Sequence, residues 1–343
     1  MKWRGALGRW TPEAISWRAG GRCLLVAFVF TSAIAIPEGA TTSSYASTLA
    51  SSYAPTAPAQ TLSYYEHSAD PAALYAQGQQ AGRSGAEGIV ILDFGRPAVD
   101  GLAYGTFGYN GAFTSFRSIT AAVESYIRGY YGYAPPDTAL NVAVGTNNSC
   151  GSGQPCGPSQ VICGCPDEPS SFSAWGQQFA LTVEQVGAWT STFKAQQAYS
   201  DNVRVVAADD IEPAFDPEYV NTYDLLKGYA EAVGGYFPPL VDYGSADADV
   251  WTDDQLLQVA YGFAPDVPMP EIYYSLDAQE WAALLSYAKA TSGRSREIFG
   301  VLTEGAGTSS PAAAYVDMVD ALAPITNQRS IPWLSTITPA VGR

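Results

Sequence analysis

Apolar residues in this chain fall into short unbroken runs separated by longer segments of helical spacing. Gly88-Ile89-Val90-Ile91-Leu92-Asp93-Phe94-Gly95 and Val203-Arg204-Val205-Val206-Ala207-Ala208-Asp209-Asp210 are the clearest runs. Others lie at 139–148, 239–243, 271–274, 297–305 and 333–338. A strand covered on both faces reads in this way, which is the mark of parallel sheets. Between the runs, apolar side chains recur every three or four residues, as in Phe116, Ile119, Val123, Tyr126 and Ile127. That spacing predicts helices over 71–83, 114–130, 172–199, 218–233, 253–262, 278–290 and 310–322. Thr252 stands where the 253–262 helix needs an N-cap, with acids in the first turn.

Strands alternating with helices predict a parallel sheet with crossover helices. The expected fold is α/β, a (β/α)8 TIM-type barrel over 61–343 that is irregular in its first units. Seven strands are countable, so the eighth is expected in the 101–112 loop or before Pro71. An open doubly wound sheet is the alternative. Against it, Gly101-Leu102-Ala103-Tyr104-Gly105 matches neither a dinucleotide fingerprint nor a P-loop.

An apolar content of 47% argues against global disorder. The formal charge is -16, and residues 1–35 carry five basic groups against Glu13 alone. The remainder is therefore more acidic still, and nucleic acid is not expected as a partner. Basic residues through Arg22, an apolar run over 23–36 and Ala33-Ile34-Ala35 read as a signal peptide at 1–36. The protein is then expected outside the cell, with no stable membrane span after cleavage. Residues 37–60, dominated by Ser, Thr, Ala and Pro, have linker composition.

Export makes Cys150, Cys156, Cys163 and Cys165, in a loop at 150–165, candidates for two disulfides in any of three pairings. A zinc site is the weaker reading, because the spacing lacks paired C-x2-C knuckles. His67 is the only histidine, which argues against a Ser-His-Asp or Cys-His triad and removes the commonest transition-metal ligand. No cofactor is implied. Asp247, Asp249, Asp253 and Asp254 lack EF-hand spacing and read as a solvated acidic loop.

Four strands end in carboxylates: Asp93, the Asp209/Asp210/Glu212 group, Asp242 and Glu304. In a parallel barrel these ends share one rim. Convergent carboxylates without histidine or a phosphate loop suit glycoside hydrolysis, where one acid is protonated and its partner ionised. Strand parity leaves open whether Asp209 or the pair Asp210 and Glu212 faces the mouth; the pair is favoured because both lie on one side. Carboxylates after strands also serve as turn formers and N-caps, and Asp242 before Tyr243-Gly244-Ser245 fits that role as well. Tyr104, Phe107, Tyr109, Tyr243, Trp251, Tyr273 and Tyr274 fall in expected rim loops, where rings can pack on sugar faces.

Asp210-Ile211-Glu212 at a strand end, with Asp93 closing an earlier strand, resembles secreted glycoside-hydrolase barrels that include the lysozyme-type muramidases. The resemblance implies Glu212 as the acid, Asp210 as the stabilising carboxylate and Asp93 lining the cleft. The expected function is hydrolysis of a polysaccharide, a cell-wall glycan by that resemblance. A non-catalytic glycan-binding or cell-surface protein on a degenerate barrel is the alternative. The two part on distance: the hydrolase needs carboxyls about 5–5.5 Å apart for retention or about 6.5–9.5 Å for inversion.

Overall fold

The computed structural model describes residues 56–149, 159–161, 172–197, 199, 202–234, 238–263, 266–305 and 307–340. The expected signal peptide, residues 37–55 of the expected linker and the four cysteines of the 150–165 loop lie outside the described residues.

In chain order the elements are β1 (Gln60–Tyr65), α1 (Pro71–Ser84), β2 (Gly88–Asp93), β3 (Arg96–Asp100), β4 (Ala103–Phe107), β5 (Phe113–Ser115) and α2 (Phe116–Tyr131). Then come β6 (Leu140–Asn147), β7 (Ser159–Val161), α3 (Phe172–Gln197), β8 (Val203–Asp210), α4 (Tyr219–Ala232), β9 (Leu240–Asp242) and α5 (Asp253–Tyr261). The chain continues with β10 (Asp266–Pro268), α6 (Ser275–Ser292), β11 (Gly300–Glu304), α7 (Pro311–Leu322) and β12 (Trp333–Pro339). Local chemistry sets several of the boundaries. Asp70 caps α1 by accepting from Ala72 N, Pro71 opens that helix, and Gly85 closes it in the left-handed region. Thr252 and Gln255 form a reciprocal capping box on α5.

Eight parallel strands form one large curled sheet in the order β10-β9-β8-β6-β2-β1-β12-β11. Past β10, Phe299 N donates to Pro268 O (2.8 Å), Leu302 N to Pro270 O (2.9 Å) and Ile272 N to Leu302 O (2.8 Å). A parallel bridge joins Glu271 to Leu302. One expected strand is displaced here, and another is found in one of the two places where it was sought. The strand expected at 271–274 is instead β10, three residues long and followed by the isolated bridge at Glu271. The strand sought before Pro71 is β1, which begins at Gln60, inside the segment read as linker. The glycine- and aromatic-rich loop after β2 is a second, antiparallel sheet of order β5-β4-β3-β7.

Side chains alternate across the large sheet. One row, including Val90, Leu92, Val142, Val144, Val203, Val205 and Ala207, packs against the helices. The other, including Ile89, Ile91, Ala143, Val206, Ala208, Val241, Tyr243, Met269, Leu302 and Ile337, packs within the curl. Helices α1 and α2 approach so closely at Gly78 that a Cβ there would sit 2.0 Å from Tyr126 O. Replacing Gly78 by Ala is expected to destabilise the protein by about 1–3 kcal/mol through overpacking. Urea midpoints of the two chains measure the loss, and an unchanged midpoint would refute the close contact.

Candidate functional site

Parity assigns the strand-end carboxylates to two different environments. On β8, Val206 and Ala208 belong to the inner row, so Asp210 continues it and Asp209 continues the outer row with Val205 and Ala207. Asp209 accepts from Thr146 Oγ1 (2.9 Å) and is buried; burial pushes its carboxyl up to about 8, with Thr146 opposing and Asp93 and Asp242 adding. β8 ends at Asp210, before Pro213. Ile211 packs outward with the helical layer, which leaves Glu212 on the same side as Asp210.

Asn148 holds Glu212 in place. Its Oδ1 accepts from Glu212 N (3.0 Å), while its Nδ2 donates to Glu212 O (3.2 Å) and to Thr222 Oγ1 on α4 (3.0 Å). Gly244 passes so near that a Cβ there would lie 1.9 Å from Ile211 O. Ser245 Oγ, one residue on, donates to Glu212 Oε2 (3.1 Å). From the other side comes Glu271, whose backbone N donates to Gly244 O (3.3 Å).

Asp210, Glu212 and Glu271 each bring a carboxylate oxygen within 4.8 Å of the other two. Asp210 is 3% exposed and Glu271 5%, and Glu212 is half-buried. Asp210 Oδ1 and Glu271 Oε1 have no hydrogen-bond partner. Burial, then Glu271, Glu212, Asp93 and Asp209, hold the Asp210 carboxyl well above the usual range. Glu271 is raised by burial first; the Tyr273 hydroxyl opposes this, and Glu212, Glu304 and Asp93 add to it. Glu212 is raised by burial, against Ser245 and with Asp247 and Asp277. Like charges this close disfavour joint ionisation, so the trio retains protons at a pH where isolated carboxyls have lost theirs. Among the described residues these three are also the ones placed to hold a metal ion, through oxygen alone.

Asp93 lies in the inner row but outside this trio. Its Oδ2 accepts from Tyr109 OH (2.6 Å) and Tyr243 OH (2.7 Å), and its Oδ1 from Gly95 N (2.7 Å). Burial raises its carboxyl, and these donors oppose the rise. Asn147 Nδ2 donates to Tyr109 OH (3.0 Å), tying β6 to the same node. Tyr243→Phe removes one donor to a buried carboxyl and is expected to cost about 1.5–3 kcal/mol. Chemical denaturation reads this out, and a change under about 0.5 kcal/mol would show that the bond carries no net stability.

The other expected site residues are scattered. Asp242 faces the helical layer beside Ile211, Trp251 and Trp281, accepts from Gly244 N (3.2 Å), and is pushed up to about 7 by burial. Trp251 is buried in that layer, with Nε1 donating to Pro217 O (3.3 Å). Tyr104 lies on β4 in the antiparallel sheet, half-buried against the helical layer. Tyr243 is fully buried, with no ring surface left for a ligand. Glu304 is exposed at the end of β11. Tyr109 keeps 39% of its surface exposed with its hydroxyl on Asp93, Tyr273 is half-buried beside Glu271, and Tyr274 is open to solvent.

Sequence reasoning missed Glu271, Asn148 and Tyr65, the last packed against the Tyr109 ring at 5.1 Å. Glu271 followed Val267-Pro268-Met269-Pro270, a carboxylate after an apolar run, which was the signal used for the other strands.

A cavity of about 300 Å³, lined by Arg96, Phe107, Tyr109, Asn147 and Ser149 among others, lies at the Asp93–Tyr109 node, and the three clustered carboxylates are not in its lining. A larger one of about 560 Å³, lined by Tyr64, Glu66, His67, Asp70 and Gln77 among others, lies against α1, and none of the three clustered carboxylates borders it. No helix among the described residues is long and apolar enough to cross a membrane. No family model matches this sequence, and no curated protein matches it.

Proposed function

We propose that the chain is an exported hydrolase of glycosidic bonds in a polysaccharide, working at the carboxyl-end rim of a (β/α)8-type barrel. The observation that carries this reading is the convergence of Asp210, Glu212 and Glu271 within 4.8 Å. Support for the barrel comes from the backbone hydrogen bonds and the parallel bridge that join the segment after β10 to β11. The cell-wall glycan as substrate rests on the resemblance of Asp210-Ile211-Glu212 to the muramidase strand end.

Glu212, the least buried of the three, is the acid that protonates the leaving oxygen as the anomeric bond breaks. The charge left on the Asp210–Glu271 pair stabilises or captures the sugar cation on the opposite side. Water, giving its proton to Glu212, then releases the sugar. A separation under 5 Å lies nearer the retaining value of about 5–5.5 Å than the inverting one, so retention is expected. The cavity beside Tyr109 and Asn147 offers a ring face and amide groups to a neighbouring sugar.

One observation favours the alternative, a non-catalytic glycan-binding protein: Asp210 and Glu271 are almost closed to solvent. Incubating the protein with purified peptidoglycan and soluble polysaccharides, beside Glu212→Gln, separates the two. Reducing ends released by the native chain alone support hydrolysis, and binding without release supports the alternative.

A further inference from the structure

We propose that Asp210, Glu212 and Glu271 form a binding site for a single calcium ion. Four observations lead there. The ligand oxygens lie within 4.8 Å of one another. Oxygens that share one calcium ion lie no more than about 4.6–5.2 Å apart, twice the metal–oxygen distance, and a set of three carboxylates suits calcium better than magnesium, which keeps several waters and takes one or two. Asp210 and Glu271 project into the group, are more than nine-tenths buried, and leave Oδ1 and Oε1 without a hydrogen-bond partner. Buried acceptors in such a state need a donor or a cation.

Among the described residues no ion pair from a basic side chain to the trio is found, and Lys227–Glu231 lies on the surface of α4. The donor set decides the class of metal. Three carboxylates with neither histidine nor cysteine suit a hard, oxygen-binding ion and disfavour zinc or copper.

The binding itself stands on geometry; its consequence rests on the hydrolase reading. Calcium on Glu212 occupies the oxygen that must deliver the proton, so the loaded protein is the idle form and a chelator activates it. This makes the trio a control point as well as a catalytic one.

The test uses the full chain, stripped with chelator and titrated with terbium, a calcium substitute that emits when nearby tyrosines are excited. Tyr65 and Tyr273 stand beside Asp210 and Glu271 and serve as antennae. Saturable emission that calcium reverses is expected, with affinity weakened roughly tenfold or more by Glu271→Gln and by Asp210→Asn. Glu212→Gln leaves the buried pair intact, keeps the test open if the other variants fail to fold, and is expected to weaken binding too. The change Asp249→Asn, at an exposed position of the acidic loop, is expected to leave affinity within about twofold, since solvated surface charges contribute little. Absence of saturable emission, or emission lost through the loop variant and not through the trio, overturns the proposal. Terbium binding with no hydrolysis in chelator would sink the hydrolase reading alone, and hydrolysis without terbium binding would sink the calcium site alone.

Discussion

Replacing Glu212 by Gln is expected to slow reducing-end release by about 10²–10⁴-fold, the range supplied by a positioned general acid. The amide keeps the size of the side chain and can still meet Ser245, and Asn148 grips only the backbone of residue 212. Positioning is therefore preserved while the proton is lost. Substrate binding should change far less than turnover, because Glu212 contributes in the transition state and not in the ground state. Activity assays in chelator, with thermal midpoints run alongside, separate this loss from misfolding. Equal release by both proteins would remove Glu212 from the acid role.

The second large effect is on stability, which is expected to fall as pH rises from about 4 to about 8. Glu66 and Asp242 are each buried, and burial lifts both carboxyls to about 7 from ordinary values of 4.5 and 3.8. At Glu66 the Gln77 side chain opposes burial and Asp93 adds to it; at Asp242 the Gly244 amide opposes and Glu212 adds. The folded state thus keeps protons that the unfolded chain releases near pH 4. Stability is full below the unfolded values and drains away as pH passes through the folded ones. At 1.36 kcal/mol per pKa unit, each group contributes on the order of 3–4 kcal/mol across that window. Urea midpoints at pH 5 and pH 8 measure the difference, and Glu66→Gln and Asp242→Asn should each flatten the profile. A native chain equally stable, or more stable, at pH 8 would contradict this account.

The parallel, alternating character of the fold was legible because strands such as Ile89–Leu92 and Val203–Ala208 are covered on both faces and are therefore apolar throughout. β1 was not, because its inner face carries hydroxyls. Ser63 Oγ lies 2.7 Å from Ser335 Oγ and accepts from Ile91 N (2.8 Å), and Thr61 Oγ1 bonds Ile89 O. A strand whose inward buried side chains are Thr61 and Ser63 resembles the Ser/Thr-rich linker before it. β10 was hidden by Pro268 and Pro270, which count against a strand even though this strand needs few ladder bonds. Tyr273 and Tyr274 then drew the strand prediction a few residues too far along.

At the site, the Asp210–Glu212 side was accessible to parity arguments once the inner row was known, whereas Asp242 differs from Asp210 only by that parity. The partner Glu271 depends on a crossing between chain segments, Gly244 to Glu271 and Glu271 to Leu302, that no local pattern records. Trp251 and Tyr243 are aromatics near strand ends whose burial reflects the depth of the helical layer and of the curl. Residue type alone gives no measure of that depth.

The pairing of β1 with β12 also bears on how the protein is made. Thr61 and Ser335 touch across 274 residues of sequence. At synthesis rates of about 5–20 residues per second, the first strand emerges about 14–55 s before the last. Until then β1 can pair only with β2, over the two positions Tyr64–Leu92 and Tyr65–Asp93. The hydroxyls of Thr61 and Ser63 let this early strand stay hydrated while its partner is still being translated.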